Sequence, residues 1–223
     1  MKNIIIIWLL ILFVTLTALN VNAQSVSTSV PENPDIRNTY LFYLHGGIVQ
    51  DQGANAVSEY YGKYEYQAIL DTLKNRGFYV ISEVRPKNTS EKEYAKQLKN
   101  QIDTLLQYGV SGQNIIVVGA SSGAYIALET SILTKNPNIR FVLLGLCSEY
   151  ALEYFQPLQK DFSGQFLSIY ESSDSKGTCL SIFQKLKGNS SFNEIKLEMG
   201  IDHAFLFKPY DDWVNPLIDW LKK

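Results

Sequence analysis

Apolar residues fall along this chain in three arrangements. One is a single long run, almost unbroken over residues 4–19. The second is a set of short runs, each closed by glycine or polar residues. The third is a set of stripes spaced three and four residues apart. Short bounded runs predict strands, and such stripes predict amphipathic helices. From Thr39 onward the two alternate. Strands are predicted over residues 39–44, 78–84, 114–118, 139–146, 166–170 and 192–197. A helix is predicted over residues 60–76, with Tyr66, Ile69, Leu70 and Leu73 on one face and Gly77 as its stop. A second follows Ser90, which with Glu93 resembles a capping box. It carries Tyr94, Leu98, Ile102 and Leu105 on one stripe and ends at Gly109. Two more are predicted over residues 122–133 and 211–221, the last presenting Trp213, Leu217, Trp220 and Leu221. Residues 46–59 and 147–165 show no period and are predicted irregular.

The run at 114–118 is apolar on both faces, as in parallel sheets covered by helices on both sides. Six strands alternating with helices imply an α/β chain. The expected architecture is a single domain over residues 39–223, with a mostly parallel sheet of about six strands, helices on both faces and no large lid domain. Residues 24–38 are Ser-, Thr-, Asn- and Pro-containing with little periodicity, and are expected to form a polar segment.

The first run has a different meaning. Lys2 precedes it and Val21-Asn22-Ala23 closes it with small or modest residues, the pattern of a secretory signal peptide cleaved after Ala23. No cysteine follows Ala23, so no lipid attachment is expected there. The competing expectation is an uncleaved anchor, since the run is near the short limit for a membrane span. With cleavage, an exported chain (periplasmic or secreted) with no membrane association is expected. Removal of residues 1–23 takes away Lys2 alone and moves the formal charge from −2 to −3. Lysines are scattered and build no phosphate-neutralising patch, so no nucleic-acid partner is expected.

Candidate chemistry centres on Gly119-Ala120-Ser121-Ser122-Gly123. This is G-x-S-x-G between a buried strand and a helix, the context that gives the motif meaning. A turn that tight holds the serine at its apex, and small residues two positions away keep the backbones from colliding. Ser121 is the candidate nucleophile. A serine hydroxyl needs a base whose pKa lies near working pH. Only His45 and His203 are present, and His203 follows the last strand and the nucleophile, in the order Ser…acid…His. Asp174 is the candidate acid, because it follows the strand at 166–170 and lies at the sheet edge where such sites gather. Glu149, after the preceding strand, is its competitor. The candidate oxyanion donors are the N–H of Ser122 and one from Gly46 or Gly47, where glycine allows close approach. His45 is expected to shape that loop. Tyr61 to Tyr66 and Arg85 lie beside the mouth loops and read either as pocket walls or as packed residues. Two histidines far apart, with no C-x-x-C, give no metal site, and no phosphate or dinucleotide motif is present, so no cofactor is expected. Asn88 and Asn189 begin glycosylation sequons that matter only in a host that uses them.

His45-Gly46-Gly47, the Gly119–Gly123 motif, Asp174 and Gly200-Ile201-Asp202-His203 together resemble the alpha/beta-hydrolase family. The resemblance covers the chain from about Thr39 to its end. It implies a twisted sheet whose C-terminal loops carry Ser121, Asp174 and His203, with Gly46 or Gly47 as partner to Ser122. Two features depart from the family. The front is too short for two leading strands, and the loop has His-Gly-Gly in place of His-Gly-Gly-Gly. Placed on that fold, Cys147 and Cys179 lie at one sheet edge, and a disulfide between them is expected. The implied activity is cleavage of an ester or related acyl bond in a small-molecule substrate through an acyl-enzyme. Thioester or peptide cleavage by the same triad, and a non-catalytic binding protein on the same fold, are the alternatives.

Overall fold

The computed structural model describes residues 26–222. The expected leader at residues 1–23 lies outside them. In chain order the elements are β1 (Val26–Ser27), β2 (Tyr40–Leu44), α1 (Gly47–Gln52), β3 (Val57–Ser58), β4 (Gly62–Lys63), α2 (Tyr66–Asn75), β5 (Tyr79–Ile81), α3 (Glu91–Gln107), β6 (Ile115–Ala120), α4 (Ser122–Thr134), β7 (Arg140–Leu144), α5 (Glu149–Phe155), β8 (Gln165–Glu171), α6 (Leu180–Phe183), β9 (Ser191–Leu197) and α7 (Asp211–Leu221). Seven strands form one sheet in the order β1-β5-β2-β6-β7-β8-β9, and every pairing in it is parallel.

Strand alternation sends successive side chains to opposite faces, and both faces are covered. Leu41, Tyr43, Ile116, Val118 and Val142 pack under Ile69 and Leu73 of α2 and Trp213 and Leu217 of α7. Tyr40, Phe42, Val117, Phe141 and Leu143 pack under Leu98 and Ile102 of α3, Ile126 of α4 and Phe155 of α5. Each such large apolar side chain contributes about 1.5–3 kcal/mol on burial. Ser90 caps α3 by accepting from the Glu93 N–H, as the capping box predicts. No separate lid domain is inserted among the described residues, and none of their helices is long and apolar enough to cross a membrane.

Three expectations need correction. The sheet has a seventh strand, because Val26–Ser27 in the supposed polar segment pairs with Val80–Ile81 at the edge. The helix expected at residue 60 starts at Tyr66, because residues 57–63 form a two-stranded hairpin. Gly62 sits there at φ 77°, a conformation that suits a turn and not a helix. Finally, the stretches at 46–59 and 147–165, expected to be irregular, contain α1 and α5.

The topology positions the site. From the centre of the sheet the chain winds outward one way through β2 and β5, and the other way through β6 to β9. The crevice between β2 and β6 is the switch point where α/β sheets bind ligands. His45 leaves the end of β2 and Ser121 the end of β6. Asp174 follows β8 and His203 follows β9, all at the same sheet edge.

Candidate active site

Ser121 occupies the sharp turn between β6 and α4. Its backbone has φ 53° and ψ −115°, an arrangement non-glycine residues seldom adopt. Such strain costs roughly 1–3 kcal/mol and persists only where surroundings impose it. The flanking glycines show what imposes it. A Cβ on Gly119 would stand 2.3 Å from the Gly123 carbonyl oxygen, and a Cβ on Gly123 would stand 2.0 Å from that of Leu44. The elbow is thus wedged against β2, which only two glycines permit. The Ser121 N–H donates to Leu144 O at 2.9 Å, tying the turn to β7.

Asp174 and His203 come together although 29 residues separate them: His203 Nδ1 and Asp174 Oδ2 lie 2.5 Å apart. The Asp174 side chain is 1% exposed and that of His203 19%, so the acid is sequestered and the imidazole reachable. Burial pushes the Asp174 carboxyl up. The hydrogen bond and charge of His203, with the Lys176 N–H, outweigh it and hold the group below its ordinary value. Glu149 is exposed in the first turn of α5 and takes no part. Ser121 and His203 line one cavity without a hydrogen bond between them.

A buried carboxylate that the sequence pattern does not single out fastens both loops. Glu171 accepts from the N–H groups of Met199 (2.9 Å), Gly200 (3.1 Å) and Ser173 (3.2 Å), and from the Ser173 hydroxyl. Ser173 Oγ in turn accepts from the Asp202 N–H. Burial works against the ionised form of Glu171, but these backbone donors hold its pKa below the ordinary carboxylate value. The Asp174 turn and the His203 loop are therefore one hydrogen-bonded unit. A signal is present in the sequence, since Glu171 ends β8 at the edge that carries Asp174. Residue type alone does not tell a buried glutamate from an exposed one.

The oxyanion candidates adjoin the serine. A Cβ on Gly46 would meet Ser121 Cβ at 3.6 Å, and one on Gly47 would meet Ser122 Oγ at 3.7 Å. Gly47 opens α1 and Ser122 opens α4, so both have N–H groups with no helical partner. His45 is fully buried. Its Nε2 accepts from the Arg85 N–H at 2.9 Å, and its Nδ1 donates to Gly46 O at 2.9 Å. That pattern fixes a neutral imidazole. Burial first, then the Arg85 charge, lower its pKa to about 3. His45 shapes the loop, as expected. Arg85 is 1% exposed and reaches His45, Gln50 and Ser122.

Two cavities open on Ser121. One, of about 210 Å³, lies on the His203 side against Tyr61, Tyr64, Leu206 and Phe207. The other, of about 360 Å³, is walled by Tyr125, Tyr150, Tyr154 and Leu146, with Lys92, Lys176 and Glu91 at its rim. A third hollow, away from these groups, lies around Gln113, Arg140 and Trp220 at the opposite edge of the sheet. Tyr61 donates to Asp202 Oδ2 and does serve as a pocket wall. Cys147 and Cys179 form a disulfide with Cα atoms 5.3 Å apart, joining the start of the α5 loop to the segment after Asp174. Among the described residues, no three His, Cys, Asp or Glu side chains converge to hold a metal ion.

With its parallel sheet, its strand–Ser–helix elbow and its acid and histidine at one edge, the chain has the alpha/beta-hydrolase fold. It is similar to MGS-MChE2, an alpha/beta hydrolase enzyme from the metagenome of sediments of the lagoon of Mar Chica, Morocco (17% identity, 83% of this chain and 91% of that one, TM-score 0.54). It is also similar to a monoacylglycerol lipase of Paleococcus ferrophilus (13%, 82% and 93%, 0.57). A third similar structure is Est1E of Butyrivibrio proteoclasticus with ferulic acid bound (11%, 87% and 90%, 0.53). At these identities the likeness is one of fold. No family model and no curated protein sequence matches the chain.

Proposed function

We propose that the protein is an exported serine hydrolase that cleaves an ester or related acyl bond of a small molecule. The observation that carries this reading is the strained Ser121 elbow sharing a cavity with a His203 already bonded to a buried Asp174. In the proposed reaction, Ser121 Oγ attacks the acyl carbon while His203 Nε2 takes its proton. Asp174 holds the Nδ1–H tautomer and stabilises the imidazolium. The oxyanion receives the N–H groups of Ser122 and of the Gly46–Gly47 segment. His203 returns the proton to the leaving group, and water, activated by the same imidazole, releases the acid and frees Ser121.

The two cavities suggest sides for the substrate. The leaving group must meet the protonated imidazole, so it belongs in the smaller cavity that His203 lines. The acyl group then belongs in the tyrosine-walled cavity, which suits a planar or aromatic acid. The disulfide and the apolar leader support export into an oxidising compartment.

The test treats the mature protein with a fluorophosphonate and locates the adduct by mass spectrometry. Labelling is expected at Ser121, lost in Ser121→Ala and strongly slowed in His203→Ala. A folded protein that is not labelled overturns the reading in favour of a binding protein. A panel of methyl esters, thioesters and peptides then ranks the chemistry, with aromatic-acid esters expected ahead of long-chain alkyl ones.

A further inference from the structure

Arg85 is the most deeply buried cation among the described residues, and no carboxylate lies within ion-pair distance of it. Its guanidinium faces the Tyr94 ring at 5.6 Å, and the Tyr94 hydroxyl donates to Glu83 at 2.9 Å. Glu91 acts on it only from beyond contact. One of its nitrogens, Nη1, is buried without a hydrogen-bond partner among the described residues. Burying an unpaired charge costs folding free energy, and a well-packed neutral side chain of similar volume often serves stability as well or better. Local rules broken at such a cost are expected to gather at functional or strained sites.

What Arg85 holds points to its use. Its Nη2 donates to His45 O at 2.5 Å and to Ser122 Oγ at 3.3 Å, and its Nε donates to Gln50 Oε1 of α1 at 3.1 Å. Its own backbone N–H donates to His45 Nε2, and His45 Nδ1–H donates to Gly46 O. A trans peptide aims its N–H opposite to its C=O. Holding His45 O therefore aims the Gly46 N–H, and holding Gly46 O aims the Gly47 N–H. Both segments that supply candidate oxyanion donors converge on this one side chain.

We propose that Arg85 is the positioning residue of the oxyanion site: it fixes the Gly46–Gly47 segment against Ser122 and sets an unpaired positive charge behind the developing oxyanion. This rests on the acyl-transfer reading above. A preorganised charge in a water-poor setting favours an anionic transition state over a neutral ground state. Its removal is thus expected to lower kcat and leave KM almost unchanged.

The experiment compares wild type with R85M, R85Q and R85K in the full mature chain. Each is assayed for thermal midpoint, for kcat and KM on p-nitrophenyl acetate, and for inhibition by phenylboronic acid, whose serine adduct is a tetrahedral anion. In R85M, kcat is expected to fall about 10²-fold with KM within about threefold, and boronate affinity to weaken in parallel. The thermal midpoint is expected to shift by only a few degrees, because the donor lost to His45 O offsets the gain from removing a buried charge. R85K keeps the charge and is expected to retain at least about tenfold more kcat than R85Q. Unchanged kcat and boronate affinity in folded R85M overturn the proposal. Should R85M not fold, equal kcat in R85K and R85Q overturns it. Fluorophosphonate labelling of wild type at Ser121 separates that failure from failure of the hydrolase reading.

Discussion

Mild acid should weaken this protein through His45, a residue that transfers no proton in the proposed mechanism. The imidazole is fully buried, T-shaped against Tyr66 at 5.7 Å, and bonded as a neutral ring between the Arg85 N–H and Gly46 O. Its charged neighbour is the Arg85 guanidinium, which opposes a second positive charge. The pKa falls from 6.5 to about 3. In the unfolded chain the ring takes a proton below about pH 6.5, while in the folded chain it does not until about pH 3. A group whose folded pKa is depressed supplies stability that is present above the unfolded value and is lost as pH falls toward the folded one. Between pH 7.5 and 5 the loss amounts to about 2 kcal/mol. With a urea dependence of about 2 kcal/mol/M, the midpoint should fall by about 1 M. The variant H45Q keeps an acceptor for Arg85 and cannot titrate. Urea midpoints of both proteins at pH 7.5 and 5 give the comparison. Other groups titrate alike in both, so the gap between them should narrow by about 1 M at pH 5. Parallel pH dependences of the two proteins would show that His45 is not the acid-sensitive group.

Two further outcomes rest on packing. Gly123→Ala would drive a methyl group into the Leu44 backbone at 2.0 Å, and neither segment can yield without moving β2. A loss of about 3 kcal/mol or more in thermal or urea melts is expected, and a wild-type melt would contradict the wedge. Replacing Cys147 and Cys179 together by serine opens a loop spanning 32 residues, which in the chain-entropy model costs about 3–4 kcal/mol. Unfolded protein without reductant should show no free thiol and, after reduction, two; an unchanged count would remove the bridge.

The parts of the fold that can be read from the sequence are those where local chemistry and tertiary packing ask for the same residue. Gly119 lets α4 fold back onto β6 and Gly123 serves the contact with β2, so the elbow stands out. Ser90 caps the helix whose stripe faces the core, so α3 is legible with its start. Asp174 and His203 are placed by strand order and scarcity. β1 escapes the pattern because two residues are too few for a period, and its pairing partner lies more than fifty residues away. The start of α2 is drawn too early when the stripe Tyr66–Leu73 is extended back through Gly62. Glu171 gains no role from sequence, and Arg85 only a place beside the mouth loops, because their types usually face water. Their burial follows from the closing of loops over them, which no local pattern encodes.

The two cavities at Ser121 share that residue and no other lining side chain. The smaller is built from residues 46–64 and 203–207, the larger from residues 91–92, 121–154 and 176. The walls therefore belong to different stretches of chain, anchored to different strands. A substitution in one cavity wall thus need not touch the residues that line the other. On the proposed acyl-transfer reading, specificity would divide into two separable traits, each open to change by substitutions that leave Ser121 where it is.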